Sequence, residues 1–385
     1  MSDTKQLLER ARDQFPPPTD VMDALLRRRD RKRRHQRLSA GVVGMAVFVA
    51  SVVIVWDVAS LDRSETSVVP GGVGAGSDPL ISIHSQLTDD APVRDLFEVE
   101  TSDPQYWRTS TLDEFDGEEW RSSDPDGSKD GQTVTVPTGP LPQPQRYVPP
   151  PDTNTEPFTF RILTDGFDNA HALPMAQTPE QITAGDLGDV TWDPYRGQAF
   201  VDGGLDAGMQ YTVRSRILVP TAKQLDHVID LSEAQYGQWT ELPADLNPRI
   251  KEIANDWTRD AVSDYDKVLA IQQHFHADGF TYSTDVDVAD DADALLTFLT
   301  QTRTGFCQQY ATAMAVLVRE LGIPARVAVG YQAGTLQDDG TYLVQSTDAH
   351  AWVEVFFQGY GWLQFEPTPG HGAHPNAQPG TYLNP

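Results

Sequence analysis

Three residues in the C-terminal part of the sequence carry side chains that could together perform acyl transfer. Cys307, the only cysteine among 385 residues, lies in TGFCQQYATAMAVLVRELGIPAR (304–326). His350 lies in DAHAWVEVF, and Glu366 follows 16 residues later in GYGWLQFEPTPG. A thiol, an imidazole and a carboxylate are the parts of a nucleophile, a general base and a group that orients the base. A lone cysteine is more often an inert buried residue, so its position must carry the reading. Cys307 opens a helix, where the dipole and the unpaired N–H groups favour an anion, and where those amides can donate to an oxyanion.

The elements around these residues are legible from spacing. Tyr310, Met314, Leu317 and Leu321 recur at i, i+3 or i+4 steps and stop at Gly322 and Pro324, which predicts a buried helix of about four turns. RVAVGY (326–331), TYLVQS (341–346), HAWVEVFF (350–357) and WLQFEPT (362–368) read as four consecutive antiparallel strands, with turns at TLQDDG and QGYG. His350, Trp352, Glu354 and Phe356 share one strand face and Ala351, Val353, Val355 and Phe357 the other. A hairpin folded about Gln358 pairs His350 directly with Glu366, their Cβ atoms about 5 Å apart. Asp348 is the rival carboxylate, two residues before His350 on the same face and about 7 Å away. The Cys307 amide is one oxyanion donor; Gln301, Gln308 and Tyr282 are candidates for a second. Trp352 and Trp362 read as core or cleft-wall aromatics.

Two amphipathic helices precede this segment. Ile250, Ile253 and Trp257 mark one in NPRIKEIANDWTRD, and Val268, Ile271 and Phe275 mark another in YDKVLAIQQHFHAD. His274 and His276, two apart, diverge around the helix axis and make a poor metal pair. No HExxH, CxxC or EF-hand pattern occurs, so neither a metal nor another cofactor is expected. The acidic stretch DVDVADDADAL (285–295) reads as a solvated loop and helix cap rather than a calcium site.

The formal net charge is −27, unevenly spread: residues 1–63 hold 12 Lys/Arg against 8 Asp/Glu, and residues 64–385 hold 17 against 48. An acidic surface repels phosphate backbones, which argues against nucleic acid as a partner and fits a salt-exposed setting. Leu38 to Trp56 runs 19 residues without a charge behind RRRDRKRRHQR (27–37), which has eight Lys/Arg. About 28 Å of helix, near the ~30 Å hydrocarbon thickness, and the positive-inside rule together predict a retained single-pass anchor, N-terminus cytoplasmic and the rest outside. A cleaved signal peptide would need a shorter n-region and a cleavage site, and no clear A-x-A follows. In an exported segment an idle unpaired thiol is a liability, which raises the catalytic reading of Cys307.

The organisation expected is a cytoplasmic basic arm (1–37), a transmembrane helix (38–58), a flexible linker (59–79), a β-rich extracytoplasmic domain (80–222), a catalytic domain (223–370) and a Pro/Gly-rich tail (371–385). The glycines of GGVGAG belong to the linker, because no strand precedes them and no helix follows. LFEVET, QTVTVPT, FTFRILT, QAFV and MQYTVRSRILV are the strand candidates of the β-rich, sandwich-like domain.

The segments GFCQQYATAMAVLVRELGIPARVAVGY, DAHAWVEVF and GYGWLQFEPTPG resemble the transglutaminase-like superfamily in order and spacing, over roughly 240–370. The resemblance implies an α+β, papain-like core, a cysteine-bearing helix packed on an antiparallel sheet, with Cys307 as nucleophile, His350 as base and Glu366 as the third member. DPQYWRTSTLDEFDGEEW (103–120) is similar to the region preceding this domain in bacterial membrane-bound members. Two departures stand out: the third residue is often Asp where Glu366 stands here, and many relatives carry several membrane helices where one is expected here. The chemistry implied is a Cys307 thioester formed on a protein or peptide amide, with cell-envelope components as candidate substrates. An amine would resolve it as an acyltransferase, or water as a peptidase or amidase. The alternative from another class is a catalytically silent envelope scaffold. Oligomeric state is not legible.

Overall fold

The computed structural model describes residues 87, 92–124, 131–143, 154–164, 172–184, 187, 189–201, 204–225, 237–286 and 293–370. The expected arm, membrane span and linker and the tail after Gly370 lie outside these residues. No helix among the described residues is long and apolar enough to cross a membrane.

Nine strands and three helices position the site. The strands are β1 (Asp95–Glu100), β2 (Trp107–Leu112), β3 (Asn154–Ile162), β4 (Pro179–Ala184), β5 (Gln210–Ile217), β6 (Ala325–Tyr331), β7 (Thr341–Gln345), β8 (Ala349–Phe357) and β9 (Gly361–Phe365). The helices are α1 (Pro248–Trp257), α2 (Asp264–Ala277) and α3 (Cys307–Glu320).

Helices α1 and α2 start where their sequences provide a side-chain cap. The Asn247 side chain accepts from the Arg249 N–H at the head of α1, with Pro248 in the first turn. Ser263 and Asp266 form a reciprocal capping box on α2. Of the expected faces, Ile250 and Ile253 on α1 and Val268, Ile271 and Phe275 on α2 are buried, and Trp257 is half-buried. The last helix, α3, is apolar nearly all round and lies against β8, β6, α1 and α2, with Met314, Val316, Leu317 and Val318 fully buried. A helix surrounded on all sides gains roughly 1.5–3 kcal/mol per such large side chain from water exclusion, so it fixes the core around itself. Gly322 ends it at φ +76, a left-handed position that costs glycine little.

One sheet has the order β9-β8-β6-β2, antiparallel throughout. A second has the order short strand Thr335–Leu336, then β7-β1-β3-β5-β4. Three further strands, Gln132–Thr135, Asp189–Asp193 and Gln198–Val201, form a smaller sheet. Burial alternates along the middle of the second sheet: Phe97 and Val99 on β1, Phe158 and Phe160 on β3, and Tyr211 and Val213 on β5 face the core.

Two expectations for the last four strands are corrected. The strand at 341–345 does not pair with β6; it crosses to β1, with Val99 opposite Tyr342. Its place beside β6 is taken by β2, which brings Leu112 opposite Val327 and Trp107 opposite Tyr331. The β8–β9 register places Phe356 opposite Trp362 and Phe357 opposite Gly361, so the hairpin is centred on Gly359, one residue beyond Gln358. Both large sheets therefore combine strands from before and after residue 222.

Candidate active site

The α3 N-terminus is built by the residues just before it. Phe306 is extended at φ −107, ψ −179, and its N–H donates to Gln309 Oε1 at 3.0 Å, which turns the chain sharply into the helix. Gly305 pairs in parallel with Tyr282, and a Cβ there would press on Gln309 and Phe298 at 3.1–3.2 Å. Cys307 is then delivered fully buried at the first helical position.

His350 stands near the start of β8, opposite Gly330 on β6. Its Nε2 donates to Glu366 Oε2 at 2.5 Å, and the ring also hydrogen-bonds the Cys307 side chain. With Nε2 engaged by the carboxylate, Nδ1 is the ring nitrogen left for the sulfur. The three expected residues thus meet in the expected order, thiol to imidazole to carboxylate.

The geometry of the last contact differs from a direct cross-strand pair. Continuing the register past β9 sets Glu366 opposite Trp352, so His350 is its diagonal neighbour. Diagonal Cβ atoms lie about 7–8 Å apart, and the extra methylene of glutamate helps to close that gap. Asp348 has a different role. It belongs to a 3₁₀ turn, Ser346–Asp348, and its Oδ2 accepts the Gln345 N–H at 2.7 Å.

Glu366 is gripped from every side. Thr368 N–H donates to its Oε1 at 2.8 Å, and the Tyr106 hydroxyl donates to its Oε2 at 3.1 Å. Its own N–H donates to Gln272 Oε1 at 3.0 Å, and its carbonyl accepts from His276 Nε2 at 2.8 Å. Gln272 and His276 are one turn apart on α2, so one helix face clamps the backbone of the orienting residue. His274, by contrast, stacks on Trp257 at 4.6 Å and bonds Asp278. Among the described residues no group of three or more His, Cys, Asp or Glu could hold a metal ion.

Electrostatics follow from this packing. Burial works against a charged His350, but the Glu366 carboxylate and the hydrogen bonds to Glu366 and Cys307 outweigh it and push the imidazole up to about 10. Burial likewise opposes a charged Glu366, yet the His350 charge and the donors around it hold its carboxyl below the usual range. Tyr282 sits near both: burial first, then Cys307 and Glu366, push its phenol well up, so it stays a neutral O–H group. Of the oxyanion candidates, Tyr282 lies close enough to feel the Cys307 and Glu366 charges, Gln301 is exposed, and Gln308, next to Cys307 in α3, is half-buried as Tyr282 is.

The sequence did not point to Gln272, Thr368 or Tyr106, and it marked His276 only as half of a poor metal pair. Gln272 carried a usable signal, a polar residue beside the buried stripe of α2. The local pattern around Tyr106 carried none.

Residues 251–367 match the model of the transglutaminase-like superfamily, and residues 9–222, more than half the chain, match the model of the TgpA N-terminal domain. A protein-glutamine gamma-glutamyltransferase of Pseudomonas aeruginosa is 31% identical over 266 residues, covering 68% of this chain and 35% of its own length. The uncharacterized protein YebA of Bacillus subtilis is 38% identical over 140 residues, 34% of this chain and 19% of the relative. The chain thus spans about a third or less of these relatives. The crystal structure of the periplasmic domain of TgpA from Pseudomonas aeruginosa superposes with TM-score 0.57 at 23% identity, covering 77% of this chain and 94% of that one. The fold is shared, and the chain belongs to the transglutaminase-like superfamily, with a TgpA N-terminal domain preceding its core.

Proposed function

We propose that the protein is a membrane-anchored, extracytoplasmic thiol acyltransferase that acts on amide side chains of proteins or peptides. The observation that carries this reading is the buried Cys307–His350–Glu366 chain at the start of α3. The Cys307 sulfur attacks the amide carbonyl, forming an S–C bond. The C–N bond breaks, and His350 passes its proton to the departing amine. A second amine then attacks the thioester, gives its proton to His350, and releases the sulfur. Helix N-terminal amides face the developing oxyanion, and the neutral Tyr282 hydroxyl is the candidate second donor. The gamma-glutamyltransferase name of the Pseudomonas relative favours an amine over water as the second nucleophile and glutamine as the donor.

The anchor rests on the uncharged run 38–56 behind eight basic residues. Protease added to intact cells is expected to remove the large C-terminal part and leave the arm. Release of the whole protein by alkaline carbonate would count against the anchor.

Activity is tested by incorporation of a labelled primary amine into a glutamine-containing peptide, with released ammonia measured in parallel. Cys307→Ala is expected to abolish both while leaving the thermal transition nearly in place, since it removes one buried sulfur. Unchanged turnover in Cys307→Ala would sink the thiol mechanism. Ammonia release without amine incorporation would instead identify a hydrolase.

A further inference from the structure

Tyr106 stands one residue before β2, in the upstream part of the chain, and is only 3% exposed. Its hydroxyl donates to Glu366 Oε2, the same oxygen that His350 Nε2 engages. Its ring lies edge-on to His350 at 5.3 Å and to Trp352 at 5.2 Å, and with Ala328 and Trp352 it forms a small apolar cluster separate from the main core. Two backbone features bring it there. The β2–β6 ladder shifts register between Val329 and Gly330. Gly330, opposite His350, has no side chain to obstruct the approach: a Cβ there would lie 2.0 Å from the Trp107 carbonyl oxygen.

We propose that Tyr106 is a positioning residue of the thiol enzyme, whose hydroxyl shares the Glu366 oxygen with His350, fixes the carboxylate, and tempers its pull on the imidazolium so that His350 can release its proton to a leaving amine. The inference rests on the acyl-transfer reading above. The physical reason lies in the shared acceptor. A hydroxyl bonded to a carboxylate stabilises its negative charge, so less of that charge is available to hold the proton on the neighbouring ring. An imidazolium gripped by an unshared carboxylate is a poorer acid, and transfer to the amine slows. The upstream domain then supplies part of the catalytic centre rather than only a platform for it.

The groups facing this trio come from several elements. Cys307 approaches from α3, Tyr282 from the strand beside Gly305, and His276 from α2 through the Glu366 carbonyl. Glu354, two steps further along β8, is neutralised by Arg108 and Arg326.

The test is Tyr106→Phe in the full chain, with amine incorporation into the glutamine peptide measured across pH and iodoacetamide alkylation of Cys307 measured in parallel. The ring and its packing are kept. Expected are a kcat lower by roughly ten- to a hundredfold, the scale of a hydrogen bond to a charged group, a KM within about twofold of wild type, and an alkaline limb of kcat/KM displaced upward by about half a pH unit. Wild-type kcat and an unmoved limb would overturn the proposal. So would a lower kcat with an unmoved limb and a matching fall in Tm, which would mark a purely structural residue. If the wild-type protein incorporates no amine and Cys307 is alkylated no faster than glutathione, the thiol-enzyme reading fails and this one with it. An active wild type matched by Tyr106→Phe removes this inference alone.

Discussion

Two glutamates at one sheet, Glu354 on β8 and Glu366 just past β9, are both buried and both held as carboxylates, yet their partners differ in kind. Glu354 is bonded by Arg108 Nη1 at 2.9 and 3.1 Å and by Arg326 Nε at 2.8 Å. Burial opposes its charge, and the two guanidinium groups overcome that and lower its pKa. Glu366 has no guanidinium; its charged partner is an imidazole, assisted by a phenol and a backbone N–H. Burial pulls Arg326 down only to about 10, so the Glu354 cluster keeps its charges through the neutral range. His350 is placed at about 10 as well, so what sets the two sites apart is the neighbour: the imidazole also hydrogen-bonds the Cys307 side chain, whereas both guanidinium groups face Glu354. One site is closed on itself; under the proposed mechanism the other passes a proton.

Removing each carboxylate sharpens the comparison most. Glu366→Gln is expected to lower kcat strongly, up to the ~10⁴ lost when a serine triad loses its carboxylate. The loss here should be smaller, because a thiol ionises far more readily than a hydroxyl. Glu366→Asp should recover only part of it, since the shorter side chain must span the diagonal from the position opposite Trp352. Steady-state kinetics on folded variants checks both, and an Asp variant equal to wild type would remove the diagonal geometry.

Glu354→Gln should act on stability instead. It leaves two buried guanidinium groups without their anion, a change that typically costs ~3–5 kcal/mol, read as a lower Tm with no displacement of the pH–rate profile. The pH dependence separates the two sites further. His350 is raised from 6.5 to about 10, so its contribution to stability is fully present below 6.5 and is lost as pH rises through about 10. Glu366 is depressed, so its share is present above 4.5 and is lost on acidification. The Tm gap between wild type and Glu366→Gln should therefore be widest between these two values and narrow towards pH 10. The gap for Glu354→Gln should stay level from about 5 to 7, where the guanidinium groups stay charged, while the Glu366→Gln gap already narrows above 6.5. Parallel narrowing of both gaps would erase the distinction.

The helices and the triad were legible because their signals are local or nearly so. Apolar spacing marks α1, α2 and α3, and Cys307, His350 and Glu366 lie within 60 residues of one another in chemically distinctive settings. The exchange of strands between sheets was not legible. WRTSTL on β2 is buried at every position although most of its residues are polar. The partners that its polar side chains find are distant: Gln198 for Thr111, the Val329 carbonyl for Thr109 and Glu354 for Arg108. A strand stabilised in this way has no alternating apolar pattern to read. Tyr106 was hidden for the same reason, since its partner Glu366 lies 260 residues away.

The smallest effect is expected at the residue that sequence spacing made a competitor of Glu366. Asp348 caps its own turn by accepting the Gln345 N–H. Asn can accept the same hydrogen bond, so Asp348→Asn should leave kcat within about twofold and stability within ~1 kcal/mol. The sign of the stability change can be worked out. Burial raises the Asp348 pKa above 3.8 and the Gln345 N–H offsets this only in part. A carboxyl whose folded pKa is raised destabilises the fold as pH climbs through 3.8 towards that higher value, after which the cost is constant. Asparagine removes this cost, so the variant should match wild type below pH 3.8 and melt at the same or a slightly higher temperature at neutral pH. If Asp348→Asn instead loses more kcat than Glu366→Gln, with both proteins folded, Asp348 holds the histidine and the contrast between the two buried glutamates loses its catalytic half.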